Sequence, residues 1–485
     1  ALSLEELFSR SDFVSFHVPL VDATKNLLNA KRIALLPQGC VVINMSRDGI
    51  IDEDELIKSL DSGRVKYYVT DFPIDEKKNH ERVIAVYFFN PKDYIEDVYG
   101  FKKTAKYRAA FLIETIKELQ LNLEKKNITL LVYCEAPEKK ISEICSEFSV
   151  GSIYAQKEWT TQEVDANKAI KKILSSDIKL IEDYDQFLYH PDSVTKDFSN
   201  IPTVFSVFRK TLEKTVKIDS EKSFVQPSST NQIENLTKIP TIENLGFEDF
   251  TTSTKTAFPF LGGENEALKR LDRYFFKTKK VAFYKKTRNG LIGEDYSTKF
   301  SPWLANGSLS ARTIYWKIKE FEDEFGANQS TYWVIFELVW RDFFKYISLK
   351  HGSKIFKIGG ILEKNYSWNF DSEIIQQWIN GNTKDNFVNA NMIELKKTGF
   401  MSNRGRQNVA SYFAKNMMMD WRMGAAYFER QLVDYDVHSN WGNWMYVAGV
   451  GNDPRDRKFN IKLQAERYDS NGKYQNLWLQ NSLFE

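Results

Sequence analysis

The sequence predicts two architectures in one chain: an α/β N-terminal region on a parallel, Rossmann-like sheet, followed by an all-α region. Three observations predict it. Short β-branched or aromatic runs alternate with amphipathic helical stretches through the first 215 residues or so. From residue 258 onward, apolar residues recur at three- and four-residue spacing. Ten of the eleven tryptophans lie beyond residue 300, Trp159 alone being earlier, so the two regions are built to different specifications. Strands that read as continuous apolar runs joined by helices imply a parallel sheet covered on both faces.

The strands are expected at 12–18, 40–46, 66–72, 83–89, 128–134 and 178–183, with helices at 52–62, 104–126 and 137–149 between them. Runs 66–72 and 83–89 are joined by a polar loop (PIDEKKNHER) too short for a clear crossover helix. Residues 216–257 are rich in Ser, Thr, Asn and Gln and read as a linker or a loop laid over a surface. Helical periodicity then returns, notably at 310–325 and 407–433.

The composition sets bounds. With 67 Lys+Arg against 65 Asp+Glu among 485 residues, net charge identifies no partner, and the length implies more than one core. A hydrophobic fraction of 42% excludes wholesale disorder. No uninterrupted apolar stretch is long enough to span a bilayer. Cys40, Cys134 and Cys145 form neither a disulfide framework nor a metal-ligand spacing. This reads as a soluble, monomeric protein of a reducing compartment: cytoplasm, nucleus or organelle. There is no signal-peptide pattern, and residue 1 is not Met, so it need not be the true start.

Four motifs in the helical region carry chemistry. Residues 297–302, STKFSP, put hydroxyls and a lysine at a helix start: an anion cradle, or plain N-capping. In FELVWRDFF (336–344), Glu337 and Trp340 share a helix face, which suits a nucleobase; a core Trp with a Glu337–Arg341 ion pair fits the same pattern. FMSNRGRQN (400–408) offers Asn403, Arg404, Arg406 and Gln407 for phosphates or flavin carbonyls. LVDYDVHSNWGNW (432–444) holds Asp434, Asp436, His438 and Asn440, without the further ligand spacing a metal needs.

In this order and spacing, the motifs resemble the photolyase/cryptochrome flavoproteins, from about residue 83 to the C-terminus. RNGLIGEDYSTKFSPWLANG (288–307) and GVGNDPRDRKFN (449–460) are most similar to the DASH branch. The resemblance implies that Tyr284, Ser297, Thr298, Lys299, Phe300, Ser301, Asn403, Arg406, Asp434 and Asp436 hold FAD. Asn440 would face the flavin N5 and favour reduced forms. Trp444, Trp421 and Trp368 match the family's electron-transfer chain, so photoreduction is expected. Glu337 and Trp340 match residues that grip a pyrimidine dimer, and Arg288 a phosphate-contacting arginine. Arg341, Asn403, Gln407 and Tyr446 complete the expected DNA-contacting set. Gln407 and Tyr446 depart from the Met and Trp of duplex-repairing photolyases. Because stacking a base on an aromatic is worth roughly 1–3 kcal/mol, these changes imply a preference for single-stranded DNA.

Residues 1–72 instead resemble D-2-hydroxyacid dehydrogenases, over the second half of their NAD-binding domain. Arg47 aligns with that family's substrate-binding arginine, but neither the Gly-rich pyrophosphate turn nor the catalytic His segment is found. The opening strand and arginine-containing loop of photolyase-like chains are also missing before residue 83; either strand 66–72 fills the empty place, or the junction is an artificial fusion that leaves the antenna domain damaged. Glu158 matches a folate-contacting position, so a methenyltetrahydrofolate antenna would lose the contacts supplied by the missing segment.

The expected domains are therefore 1–72, a dehydrogenase-like fragment; 73–215, the antenna α/β domain; 216–257, the linker; and 258–485, the helical FAD domain. The leading expectation is light-driven repair of cyclobutane pyrimidine dimers in single-stranded DNA. The alternatives are a blue-light signalling cryptochrome and, remotely, an NAD-dependent dehydrogenase. No long tail follows GVGNDPR, which favours repair over signalling.

Overall fold

The computed structural model describes residues 3–44, 46–47, 49–70, 82–221, 224–453 and 455–480. The chain forms two compact units, Ala1–Arg82 and Val83–Glu485.

In the first unit, β1 (Phe13–Phe16), β2 (Cys40–Asn44) and β3 (Val65–Thr70) form a parallel sheet in that order. Local chemistry sets its helices. Ser3 and Glu6 make a reciprocal capping box that starts Leu4–Arg10, and Asp52 accepts from the Glu55 amide to start Glu53–Asp61. Phe8, Phe16, Leu28, Val42, Ile50 and Val65 form its core.

The expectation that strand 66–72 fills a place in the second unit's sheet is not met. Val65–Thr70 is the third strand of the first unit's own sheet, hydrogen-bonded to β2 from Cys40↔Val65 to Asn44↔Thr70. Residues 71 and 72 lie outside the described residues.

The second unit opens with β4 (Ile84–Phe88) paired to β5 (Thr129–Tyr133), and β6 (Ser152–Gln156) paired to β7 (Lys179–Asp183), both parallel. Two two-stranded sheets stand where one sheet was expected. β6 was not foreseen, because SIYAQ is short and mixed in polarity. The linker side chains serve one edge of β5. Thr237 Oγ1 accepts from the Val132 amide at 2.9 Å, and Asn235 Nδ2 donates to the Leu130 carbonyl at 2.8 Å. Ile242, Leu245 and Phe247 then pack on the core under β4 and β5. The linker's Asn and Thr content thus supplies the partners a further strand would have supplied.

The remainder is helical around one large core, with Trp303, Trp378 and Trp421 fully buried. Its spine is the helix Gln329–His351, started by Asn328, which accepts from the Ser330 and Thr331 amides. The expected 407–433 helix is broken. Asn403–Ser411 runs into a wider π turn at Tyr412–Asn416, Met418 turns left-handed (φ 53°), and Asp420 caps a new helix, Trp421–Gln431. The Met418 carbonyl accepts from the Asn369 amide at 2.7 Å, which draws the chain out of the helical path. Among the described residues, no helix is long and apolar enough to cross a membrane.

Candidate functional site

A cavity of about 550 Å³ opens among the helices of the second unit. Its walls bring together Tyr284, Arg288, Ser297, Thr298, Lys299, Phe300, Ser301, Glu337, Trp340, Arg341, Asn403, Arg406, Gln407, Asp434, Asp436 and Tyr446. Residues from five separate stretches of sequence therefore share one space.

The 297–301 loop forms part of the wall. Pro302 sits in the first turn of helix Ser301–Asn306, whose start faces the cavity. Lys299 holds a left-handed backbone (φ 64°), and its side chain is 3% exposed. Its Nζ lies over the Tyr296 ring, 3.3 Å from the centroid, and has no hydrogen-bond partner. Burial holds this lysine well below the usual amine range, with Glu394 opposing that shift. A buried, unpartnered amine beside Ser297, Thr298 and Ser301 is a donor whose charged form an arriving phosphate would favour, so these residues fit the anionic end of a dinucleotide cofactor. Arg270 fixes the loop from behind, donating to the Glu294, Ser297 and Thr298 carbonyls.

Arg406 makes a two-point ion pair with Asp434, both contacts 2.9 Å. Burial works against the charge of Asp436, but Lys345 at 3.1 Å, His438 and Arg341 more than offset it and hold the carboxyl well below its ordinary range. His438 takes a different task. Its ring stacks on Trp159 at 4.4 Å, and Nδ1 meets Ser348 Oγ at 2.7 Å. Among the described residues, no three His, Cys, Asp or Glu side chains are placed to hold a metal. Asn440, expected to face the flavin N5, is buried and is not among the residues lining the cavity; its Nδ2 donates to the Ala425 carbonyl at 3.0 Å.

Also on the cavity wall, Arg288 Nη1 contacts Glu337 Oε1 at 2.5 Å. Glu337 thus pairs with Arg288, not with Arg341 one turn away on the same helix. Burial raises the Glu337 carboxyl, with Arg288 opposing. The Trp340 indole lies face to face on Phe205 (3.6 Å, 8°), with Tyr446 edge-on at 6.1 Å. Arg341 lines the cavity, yet its guanidinium donates to the Gln186 and Leu304 carbonyls at 2.6 and 3.1 Å. It is a brace between segments, and its expected DNA contact would require breaking both bonds.

The tryptophan series lies deeper. Trp444 is buried against Phe428, Phe413 and Trp378. A Cβ on Gly424 would come within 2.2 Å of Trp444 Cη2, so only glycine lets this ring lie on the Trp421–Gln431 helix. Trp421 donates to the Ile358 carbonyl at 3.0 Å and meets Trp441 at 5.8 Å. Trp368 is half-buried, edge-on to Tyr366 at 5.8 Å.

Glu158 lies apart, in a second cavity of about 1100 Å³. Burial raises its carboxyl to about 7, while Gln156, which donates to it, opposes. Leu304, Ala305, Arg341 and Asp436 line both cavities and so form the wall between them. One site feature was not assigned from sequence. Phe205, which backs Trp340, comes from a segment 135 residues earlier, beyond the reach of local pattern. Arg404, offered from sequence for phosphates or flavin carbonyls, is not among the residues lining the cavity; it donates to both Gln407 and Asn289 at 3.0 Å.

Comparison with known proteins settles the family. Residues 333–482 match the FAD binding domain of DNA photolyase, and residues 76–228 match the DNA photolyase domain. Cryptochrome DASH of Xenopus laevis is 44% identical over 410 residues, covering 83% of this chain and 78% of its own. The chain belongs to the cryptochrome DASH family. Cryptochrome DASH of Synechocystis is 42% identical over 400 residues, covering 82% of each chain. The crystal structure of Synechocystis cryptochrome superposes with a TM-score of 0.78 at 41% identity, covering 83% of this chain and 84% of that one. Residues 1–87 match the NAD binding domain of D-isomer specific 2-hydroxyacid dehydrogenases, as the motifs at 11–60 implied. FAD is the cofactor of the helical half, and the loop with its unpartnered lysine fits it.

Proposed function

We propose that this cryptochrome DASH chain repairs cyclobutane pyrimidine dimers in DNA by light-driven electron transfer, with a preference for single strands. The observation that carries this reading is the lining of one cavity, which holds both an anion-ready loop and Glu337 with a Trp340 stacked on Phe205. Bound FAD, reduced and excited by blue light, supplies the electron that splits the dimer and receives it back.

The chain's own residues do the rest. Lys299 and the loop hydroxyls neutralise phosphate charge without help from water. The Arg406–Asp434 pair fixes one cavity wall, and Asn440, one residue after the lining Ser439, would turn its amide oxygen toward the flavin. Phe205 pins the Trp340 ring so that a flipped dimer packs on a surface already ordered. Glu337 polarises a dimer carbonyl, and Arg288 engages the backbone phosphate. Gln407 and Tyr446 grip less than a larger apolar pair would, which favours substrates that need no unpairing. Trp444, Trp421 and Trp368 relay electrons inward for photoreduction. Glu158 would hold a folate antenna in the second cavity.

The test is dimer repair, read by loss of the lesion from single- and double-stranded oligonucleotides under blue light with a reductant. Repair of the single strand at least tenfold faster is expected. Flavin that bleaches under light without any repair would overturn the reading in favour of a photoreceptor. Oxidation of NADH by 2-oxo acids would instead assign activity to the first unit.

A further inference from the structure

The charges around Lys299 do not pair off. Glu394, Arg270, Arg406 and Asp434 are the charged groups that act on it. Arg270 is taken by Asp295 at 2.7 Å, and Arg406 by Asp434 at 2.9 Å. Lys299 and Glu394 are left over, one base and one acid, both buried. They are not bonded to each other: Lys299 Nζ has no hydrogen-bond partner, and neither has Glu394 Oε1. The other carboxyl oxygen, Oε2, accepts from the Tyr474 hydroxyl at 2.5 Å, and that hydroxyl lies 3.1 Å from Asn391 Oδ1. A Cβ on Gly405 would come within 2.0 Å of the same Asn391 oxygen, so the helix carrying Arg406 lies directly on this network. Lys299 lines the cavity, whereas Glu394 is outside the lining.

Two opposite charges buried apart, each short of a bonding partner, are costly, and one proton shifted from amine to carboxyl removes both. We propose that Glu394 stores the proton with which Lys299 meets the phosphates of FAD. Before the cofactor binds, the pair is a neutral carboxyl and a neutral amine. With a phosphate against Lys299, the O–H of Glu394 breaks and an N–H forms on Lys299 Nζ, leaving a carboxylate and an ammonium. No electron moves, and no proton is exchanged with water: the pair holds one proton throughout. This exchange rests on the reading that the 297–301 loop holds the phosphates, and it adds to that loop a residue from outside the cavity lining. Glu394 is a positioning residue that acts through Lys299.

The surroundings favour the exchange. Burial holds the amine well below its ordinary range and raises the carboxyl to about 7, so each group prefers its neutral form while the pair is alone. An added anion reverses that preference at Lys299, and the new ammonium then favours the carboxylate of Glu394. The hydrogen bond from Tyr474 favours the carboxylate as well. Other groups face the pair from several elements. The helix Lys473–Leu479 brings Tyr474, and the loop brings Tyr296, whose ring lies under Lys299 Nζ. Burial raises both hydroxyls well above their ordinary range, so neither supplies the proton. Arg270 comes from the helix Glu264–Asp272 and Arg406 from Asn403–Ser411, each already in its ion pair. On the helix of Glu394 itself, Lys396 is turned away, with its Nζ on Asn380 at 2.8 Å.

The experiment is calorimetric titration of FAD into the flavin-stripped full chain, in the dark, in buffers of differing ionisation enthalpy and over a pH series. Below about pH 7, where Glu394 still holds its proton, uptake well under one proton per FAD is expected, with an affinity that barely changes with pH. Glu394→Gln removes the store, so Lys299 must draw on water. Uptake should then rise toward about one proton per FAD, and affinity should fall up to about tenfold per pH unit over the same range. Lys299→Met should bind FAD about tenfold more weakly or worse, with neither uptake nor pH dependence there. The infrared C=O band of a neutral carboxyl should vanish when FAD binds to the wild type, persist in Lys299→Met and be missing from Glu394→Gln. Should Glu394→Gln fail to fold, the wild-type proton count and band decide alone. A full proton taken up by the wild type in this range, or a carboxyl band that survives binding, overturns the exchange and leaves the loop reading standing. Lys299→Met binding FAD as tightly as the wild type overturns the loop reading, and the exchange with it.

Discussion

β5 and β6 are strands of equal length in the same unit, yet they bury very different surfaces. Leu130, Leu131 and Val132 of β5 are 2–3% exposed, whereas Tyr154 of β6 is 39% exposed. β5 has β4 on one side and the linker's Asn235 and Thr237 on the other; β6 is paired with β7. A strand enters the core according to how many neighbours it has, more than by its own apolar content. The helical half meets that condition everywhere, since its helices pack on one another around Trp303, Trp378 and Trp421. The sheets of this unit meet it only in part.

This contrast can be broken most severely from the helical side. Trp378→Ala should destabilise the unit by about 3–5 kcal/mol, lowering its thermal midpoint and releasing flavin, because the ring is fully buried between Phe413, Phe428 and Trp444. Gly424→Ala should come next, at about 1–3 kcal/mol, through overpacking against Trp444. It should slow flavin photoreduction as well, which distinguishes it from a general loss of stability.

A titration sharpens the same comparison. Glu394 is 1% exposed, and burial raises its carboxyl to about 7, while the hydrogen bond from the Tyr474 hydroxyl and the charge of Lys299 oppose. The folded state therefore binds this proton more tightly than the unfolded chain does. Stability from this group is complete below the unfolded value near 4.5, and declines as pH rises to about 7, by at most about 3 kcal/mol. Urea unfolding at pH 5 and pH 7.5 should show the decline in the wild type and a smaller one in Glu394→Gln. Smallest of all, Tyr154→Ala on β6 should change stability by less than about 1 kcal/mol, because the ring is already partly in water.

Much of this was legible in the residues. Six strands were placed within two residues at each end, because alternation and β-branching are local signals. The cavity-lining set was legible through motif order. The break at 417–420 was not, because its cause is a backbone bond from Asn369, some fifty residues away. Nor was the Arg288 partnership with Glu337. Helical spacing favoured Arg341, and only the fold shows that Arg341 is held by the Gln186 and Leu304 carbonyls.

The guard on β5 has one more consequence. A row of strand N–H and C=O groups is a template on which another molecule's strand can grow, and here that row is capped by amide and hydroxyl side chains on a loop. Such a cap is removable in a way a covalently continuous sheet neighbour is not. The connection between the two halves of this unit would therefore also hinder growth of a second molecule's strand on this edge. A protease cut near Thr237 should be followed by clumping of otherwise folded molecules, with the flavin still bound.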